Sequence, residues 1–170
     1  MSGARGGAYV AYHEAGHAVI RFVLGLPFNS VVIYEPGEAG DRGGAVAGCN
    51  TGEDIVDPRR IAAEAVSYMA GVYAEARRSH TSIVAVSLGA RQDVSIASEA
   101  AAAAGCDEEA VWERAGQLVR KHWADIETVA EELLLRRRLS YTDVEVLVRA
   151  DALTREERRV RNALARGGER

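Results

Sequence analysis

The chain has 170 residues, 48% hydrophobic and 27% charged, with a net charge of −4. That is one ordinary globular domain's worth of sequence, long enough for a real core, and the acidic balance argues against a general nucleic-acid binder. Its two cysteines, Cys49 and Cys106, stand far apart and outside any CxxC pattern, so neither a zinc knuckle nor a disulfide framework is expected, and reduced thiols suit a cytoplasmic protein.

Residues 1–7 are glycine-rich and are expected to form a flexible N-terminus without a signal-peptide core. An amphipathic helix follows from about Ala8 to Leu24, closed by Gly25 and Pro27. It carries His13-Glu14-Ala15-Gly16-His17. Residues four apart lie within about 40° on a helix, so His13 and His17 share a face and can point at one ion. Glu14 sits beside them, placed to take a proton from a water. This is the pattern that zinc chemistry needs: neutral imidazoles, an open position and a carboxylate base. Gly16 costs about 1 kcal/mol against alanine inside a helix, which points to another element approaching the histidine face closely.

Ser30–Tyr34 reads as a short β-branched strand. A polar turn over 35–43 leads to Gly44-Ala45-Val46-Ala47-Gly48-Cys49, a weaker strand candidate that would complete a hairpin or small sheet. Its small, uncharged side chains make an edge at Gly44, Ala45, Val46 and Ala47 that could accept an extended peptide; a glycine loop is the other reading.

Asp57 and Pro58 open a second helix as N-cap and first helical residue, running to about Ser79. Its Ala70-Gly71 centre favours tight helix packing, and Glu75, set among apolar and small residues, needs a partner if buried. Ser82–Leu88 reads as a connecting segment. A third helix spans roughly Ala90–Ala104 and stops at Gly105, and a fourth opens at Asp107-Glu108-Glu109. Trp112 and Trp123 are expected to share a face and to pack the C-terminal helices. The chain continues helical from Ile126, with or without a bend before it, and Ser140-Tyr141-Thr142-Asp143 resembles a capping box before a last helix. From Leu153 the chain reads as helical but weakly held, with a basic tail over 154–170. His80 and His122 read as ordinary lone histidines.

Four of these segments together resemble the peptidase domain of the FtsH-type ATP-dependent zinc proteases, peptidase family M41. His13-Glu14-Ala15-Gly16-His17-Ala18 matches that family's HEAGHA. Val31–Gly37 resembles its short strand ending in a proline turn. Met69–Ala76 is similar to its Gly-Gly-x-x-Ala-Glu-Glu helix, with one glycine and the second glutamate replaced. Gly89-Ala90-Arg91-Gln92-Asp93 looks like its Gly-Ala-x-Asn-Asp segment. The resemblance covers roughly residues 8–150.

It implies a mainly α, helical zincin-like peptidase domain over 8–153 with a small β-hairpin or sheet after the HExxH helix. It implies Zn2+ held by His13, His17 and Asp93, with Glu14 as general base. Glu75 is the competing third ligand, preferred here as a supporting carboxylate. The expected substrates are peptides or unfolded protein segments. Members of the family carry a membrane anchor and an AAA+ module, whereas this sequence shows neither a G-x-x-x-x-G-K-[ST] loop nor an apolar span. A stand-alone relative or an excised domain is therefore expected, cytoplasmic, as a homo-oligomer or beside a separate ATPase chain. A non-catalytic interaction domain that keeps the metal site is the alternative; metal buffering or sensing is weaker still, because cysteine ligands are absent.

Overall fold

The computed structural model of the chain describes residues 3–34, 57–150 and 153–154. Their architecture is mainly helical, with a two-stranded antiparallel sheet. The elements in order are α1 (Gly3–Val23), β1 (Ser30–Val32), α2 (Pro58–Ser79), α3 (Ile83–Gly89), α4 (Arg91–Ala104), α5 (Glu108–Lys121), α6 (Trp123–Arg136) and β2 (Arg138–Ser140). A further helix, α7, covers residues 141–150. No helix among the described residues is long and apolar enough to cross a membrane.

Local chemistry sets most of these boundaries. The Asp57 carboxylate accepts from the Arg59 N–H ahead of Pro58, and Asp107 does the same for Glu109. Gly105 takes the left-handed conformation that ends α4. Ser140 and Asp143 cap α7 reciprocally: the Ser140 N–H donates to Asp143 Oδ2 at 2.8 Å, and the Asp143 N–H donates to Ser140 Oγ at 3.2 Å.

Three expectations change. Ser82–Leu88 is not a connector: Ser82 caps a helix over Ile83–Gly89 by accepting from the Ala85 N–H. The small sheet expected at Ser30 is present, but among the described residues its other strand is β2, a partner the sequence did not suggest, in the register Ser30–Ser140, Val31–Leu139 and Val32–Arg138. The proposed second strand and peptide-accepting edge, Gly44, Ala45, Val46 and Ala47, lies outside the described residues. Third, the helix breaks at His122, so Trp112 and Trp123 sit on different helices. Trp112 packs edge-on to Tyr73 of α2, and Trp123 meets Tyr12 of α1 with Arg77 over its ring.

The first helix begins at Gly3 rather than near Ala8, and it occupies the centre of the fold. It packs on α2 along one side and α6 along another; α2 in turn carries α4 and α5. The core is largely alanine and branched aliphatic: Ala11, Ala15, Val19 and Ile20 of α1, Met69 and Val72 of α2, and Ile126, Val129 and Leu133 of α6 are all fully buried. Each large aliphatic side chain contributes about 1.5–3 kcal/mol by leaving water.

The contact between α1 and α2 is made by small residues. A Cβ added at Gly16 would stand 2.8 Å from the Ala70 carbonyl oxygen and 2.7 Å from the Ala74 Cβ. One added at Gly71 would collide with the His17 ring. The costly glycine in α1 is thus explained by the backbone of α2 lying against it.

Candidate metal centre

Polar groups line the α1–α2 contact in three successive pairs. His13 meets Glu75, His17 meets Ser67 and Arg21 meets Glu64. Positions rise along α1 as they fall along α2, so the two helices run antiparallel. The three α1 residues are one turn apart on one face.

The first two pairs fix the imidazoles. Glu75 Oε2 lies 2.9 Å from His13 Nδ1, and the Ser67 carbonyl oxygen lies 2.8 Å from His17 Nδ1. A carbonyl can only accept, so His17 carries its proton on Nδ1 and presents a bare Nε2. Glu75, expected as a supporting carboxylate rather than a ligand, lies against His13 Nδ1, while Asp93 lies against Nε2. Half-buried among small residues, Glu75 finds its partner in His13.

The two Nε2 atoms converge. They stand 3.0 Å apart, and Asp93, in the first turn of α4, places Oδ2 3.1 Å from His13 Nε2 and Oδ1 3.7 Å from His17 Nε2. The positive end of the α4 dipole favours a carboxylate at that position. Donors about 2.0–2.2 Å from one tetrahedral ion stand roughly 3.3–3.6 Å apart, and the observed separations straddle that range. His13, His17 and Asp93 thus form a group that can hold a metal ion, and the residues present fit one.

Electrostatics describe the same convergence. Burial pushes His13 down, but its hydrogen bonds to Asp93 and Glu75 outweigh that and hold it up at about 10. Burial, then the His13 charge, pushes His17 below the ordinary histidine range. Asp93 lies below the usual carboxylate range despite its burial, because His13 donates to it. A proton on His13 Nε2 therefore sits where the lone pairs of His17 and Asp93 also point, in the place a cation would take.

Glu14 is only 4% exposed and adds to the elevation of His13. His13 and His17 side chains are 11% and 9% exposed, whereas Asp93 and Glu75 are 24% and 30% exposed, so the cluster opens to solvent on the Asp93–Glu75 side. His80, left-handed and exposed after α2, and His122, bonded through Nδ1 to the buried Asp125 at 2.9 Å, belong to no such cluster.

Sequence reasoning missed the third polar pair. Arg21 is 5% exposed and grips Glu64 through both terminal nitrogens, with Nη2 2.9 Å from Oε1. Its signal was present: a lone charge four residues after His17 in an otherwise apolar run. Tyr68 was missed as well; its ring stands edge-on to His17 with centroids 6.2 Å apart.

No protein-family model matches this chain, and no curated protein does. The likeness to M41 peptidases stands on the four motifs alone.

Proposed function

We propose that the chain is a zinc metallopeptidase of the M41 type, cleaving peptides or unfolded protein segments. The observation that supports this most is the convergence of His13 Nε2, His17 Nε2 and the Asp93 carboxylate beside a buried Glu14 on the same helix. Two imidazoles and one carboxylate suit zinc among the common ions, and three protein donors leave a position for water or substrate. Zinc held by His13, His17 and Asp93 would supply Lewis acidity for a bound water and for the scissile carbonyl.

The chain's own groups do the rest. Glu75 and the Ser67 carbonyl hold the two rings with Nε2 inward. Glu14 takes the proton of the attacking water and passes it to the leaving amine. A site serving stability alone has no need of that carboxylate. The opening on the Asp93–Glu75 side lets a peptide approach.

Elemental analysis tests the ligand set. The chain should carry about one zinc, Asp93→Ala should lose it, and Glu75→Ala should weaken it about 10- to 100-fold. Zinc retained in Asp93→Ala and lost in Glu75→Ala would reverse the two roles. Hydrolysis of casein or a fluorogenic peptide should fall about 10²- to 10⁴-fold in Glu14→Gln, with zinc content unchanged. Equal rates in both proteins would remove the role given to Glu14. Bound zinc without hydrolysis in either would favour an interaction domain that keeps its metal site.

A further inference from the structure

Arg21 and Glu64 form an ion pair at the α1–α2 contact, one helical turn beyond His17. Arg21 Nη2 also donates to the Pro27 carbonyl at 3.1 Å, and Nη1 lies 3.3 Å from Ser67 Oγ. Ser67 Oγ in turn donates to the Glu64 carbonyl at 2.8 Å. The Ser67 carbonyl receives His17 Nδ1–H. One guanidinium therefore joins α1, the turn after it and the Glu64–Ser67 turn of α2, and that turn is what sets the orientation of His17.

As a stabilising device this arrangement is poor. A buried ion pair often contributes no more than apolar residues of the same volume. Arg21 Nε is moreover buried without a hydrogen-bond partner among the described residues, a further cost. Its geometry is specific instead. The planar fork spans two acceptors of one carboxylate, which a lysine cannot do, and it leaves the Ser67 carbonyl directed at one ring nitrogen.

We infer that the Arg21–Glu64 clamp is a positioning device: through Ser67 it fixes the tautomer and placement of His17, so that Nε2 faces His13 and Asp93. The inference rests on the metal-site reading for its purpose. Its structural content is the protonation pattern of one ring.

That pattern is measurable without metal. Long-range ¹H–¹⁵N spectra of the full chain should show His17 with a protonated Nδ1 and a bare Nε2. In Arg21→Met/Glu64→Met, which removes both charges together, the two nitrogens should move toward averaged shifts. Zinc affinity, measured against a chromophoric chelator, should fall about 10-fold or more. Arg21→Lys and Ser67→Ala are smaller perturbations that should move both readouts part of the way. Circular dichroism confirms folding, and Leu133→Ala, destabilised but remote from the cluster, should leave the ring pattern and the affinity unchanged.

Wild-type spectra and an affinity within about twofold in the folded double variant would overturn the inference, as would unchanged spectra in both Arg21→Lys and Ser67→Ala. The metal reading is judged apart from this: a wild-type chain that takes up no Zn2+ overturns that reading, while the ring spectra still decide the clamp.

Discussion

The first helix is packed in two different ways. Toward α2 it presents Gly16, His13, His17 and Arg21 to Ala70, Gly71, Ala74 and a row of hydrogen-bonding groups. Toward α6 it meets a helix whose buried apolar side chains are Ile126, Val129, Ala130 and Leu133, with Tyr12 against Trp123. The α6 side contributes apolar volume, which stabilises in proportion to what leaves water. The α2 side also buries Met69 and Val72, but in addition it fixes atoms of α1 to within hydrogen-bond tolerance. Site geometry therefore rests on the α2 side of the helix, while the α6 side serves packing, and substitutions should separate the two.

The largest effect on folding belongs to the α6 side. Leu133→Ala should cost about 2–5 kcal/mol in denaturant unfolding, while the folded fraction keeps its metal affinity. Loss of affinity in proportion to stability would dissolve the comparison. On the α2 side, Gly71→Ala adds one methyl group where the His17 ring lies. It should weaken metal binding about 10- to 100-fold with a smaller loss of stability, checked by zinc competition and thermal melting together.

The smallest effect lies away from both. Ser140→Ala should cost about 1 kcal/mol through the α7 cap. Hydrogen bonds from Ser140 hold Asp143 below the usual carboxylate range. A depressed folded value means that this contribution is present above the ordinary aspartate range and is lost as pH falls through the folded value. The stability gap between wild type and Ser140→Ala should therefore narrow in acid, read by urea unfolding at pH 6 and near pH 3, with site affinity untouched at neutral pH. A gap that stays constant would assign the effect to the serine alone.

Much of the helical layout is legible because its signals are local. Asp57-Pro58, Asp107, Gly105 and Ser140-Tyr141-Thr142-Asp143 each act on backbone groups within a few residues, so propensity and capping suffice. The histidine pair is legible for the same reason, since a spacing of four fixes a shared face whatever surrounds it. Gly16 announced a close neighbour without naming it. The helix at Ile83–Gly89 was missed because its seven residues are too few to show a period, although Ser82 was a readable cap. The strand Arg138–Ser140 offers one buried side chain, Leu139, between an arginine and a serine, and no pattern in three residues predicts a partner more than a hundred positions away.

By itself, then, the sequence determined a helix presenting two imidazoles and a carboxylate on adjoining faces, because helical geometry depends on spacing alone. Tertiary structure decided which other groups meet them. Asp93 joins the pair because α4 packs on α2, and Glu75 rather than another acid supports His13 because α2 runs antiparallel to α1. Arg21, an isolated charge in the linear chain, is tied to His17 through Ser67 only when Gly16 and Gly71 let the two helices come within reach of a hydrogen bond. Such contacts join residues 43 to 80 positions apart, and no local signal encodes the crossing that brings them together.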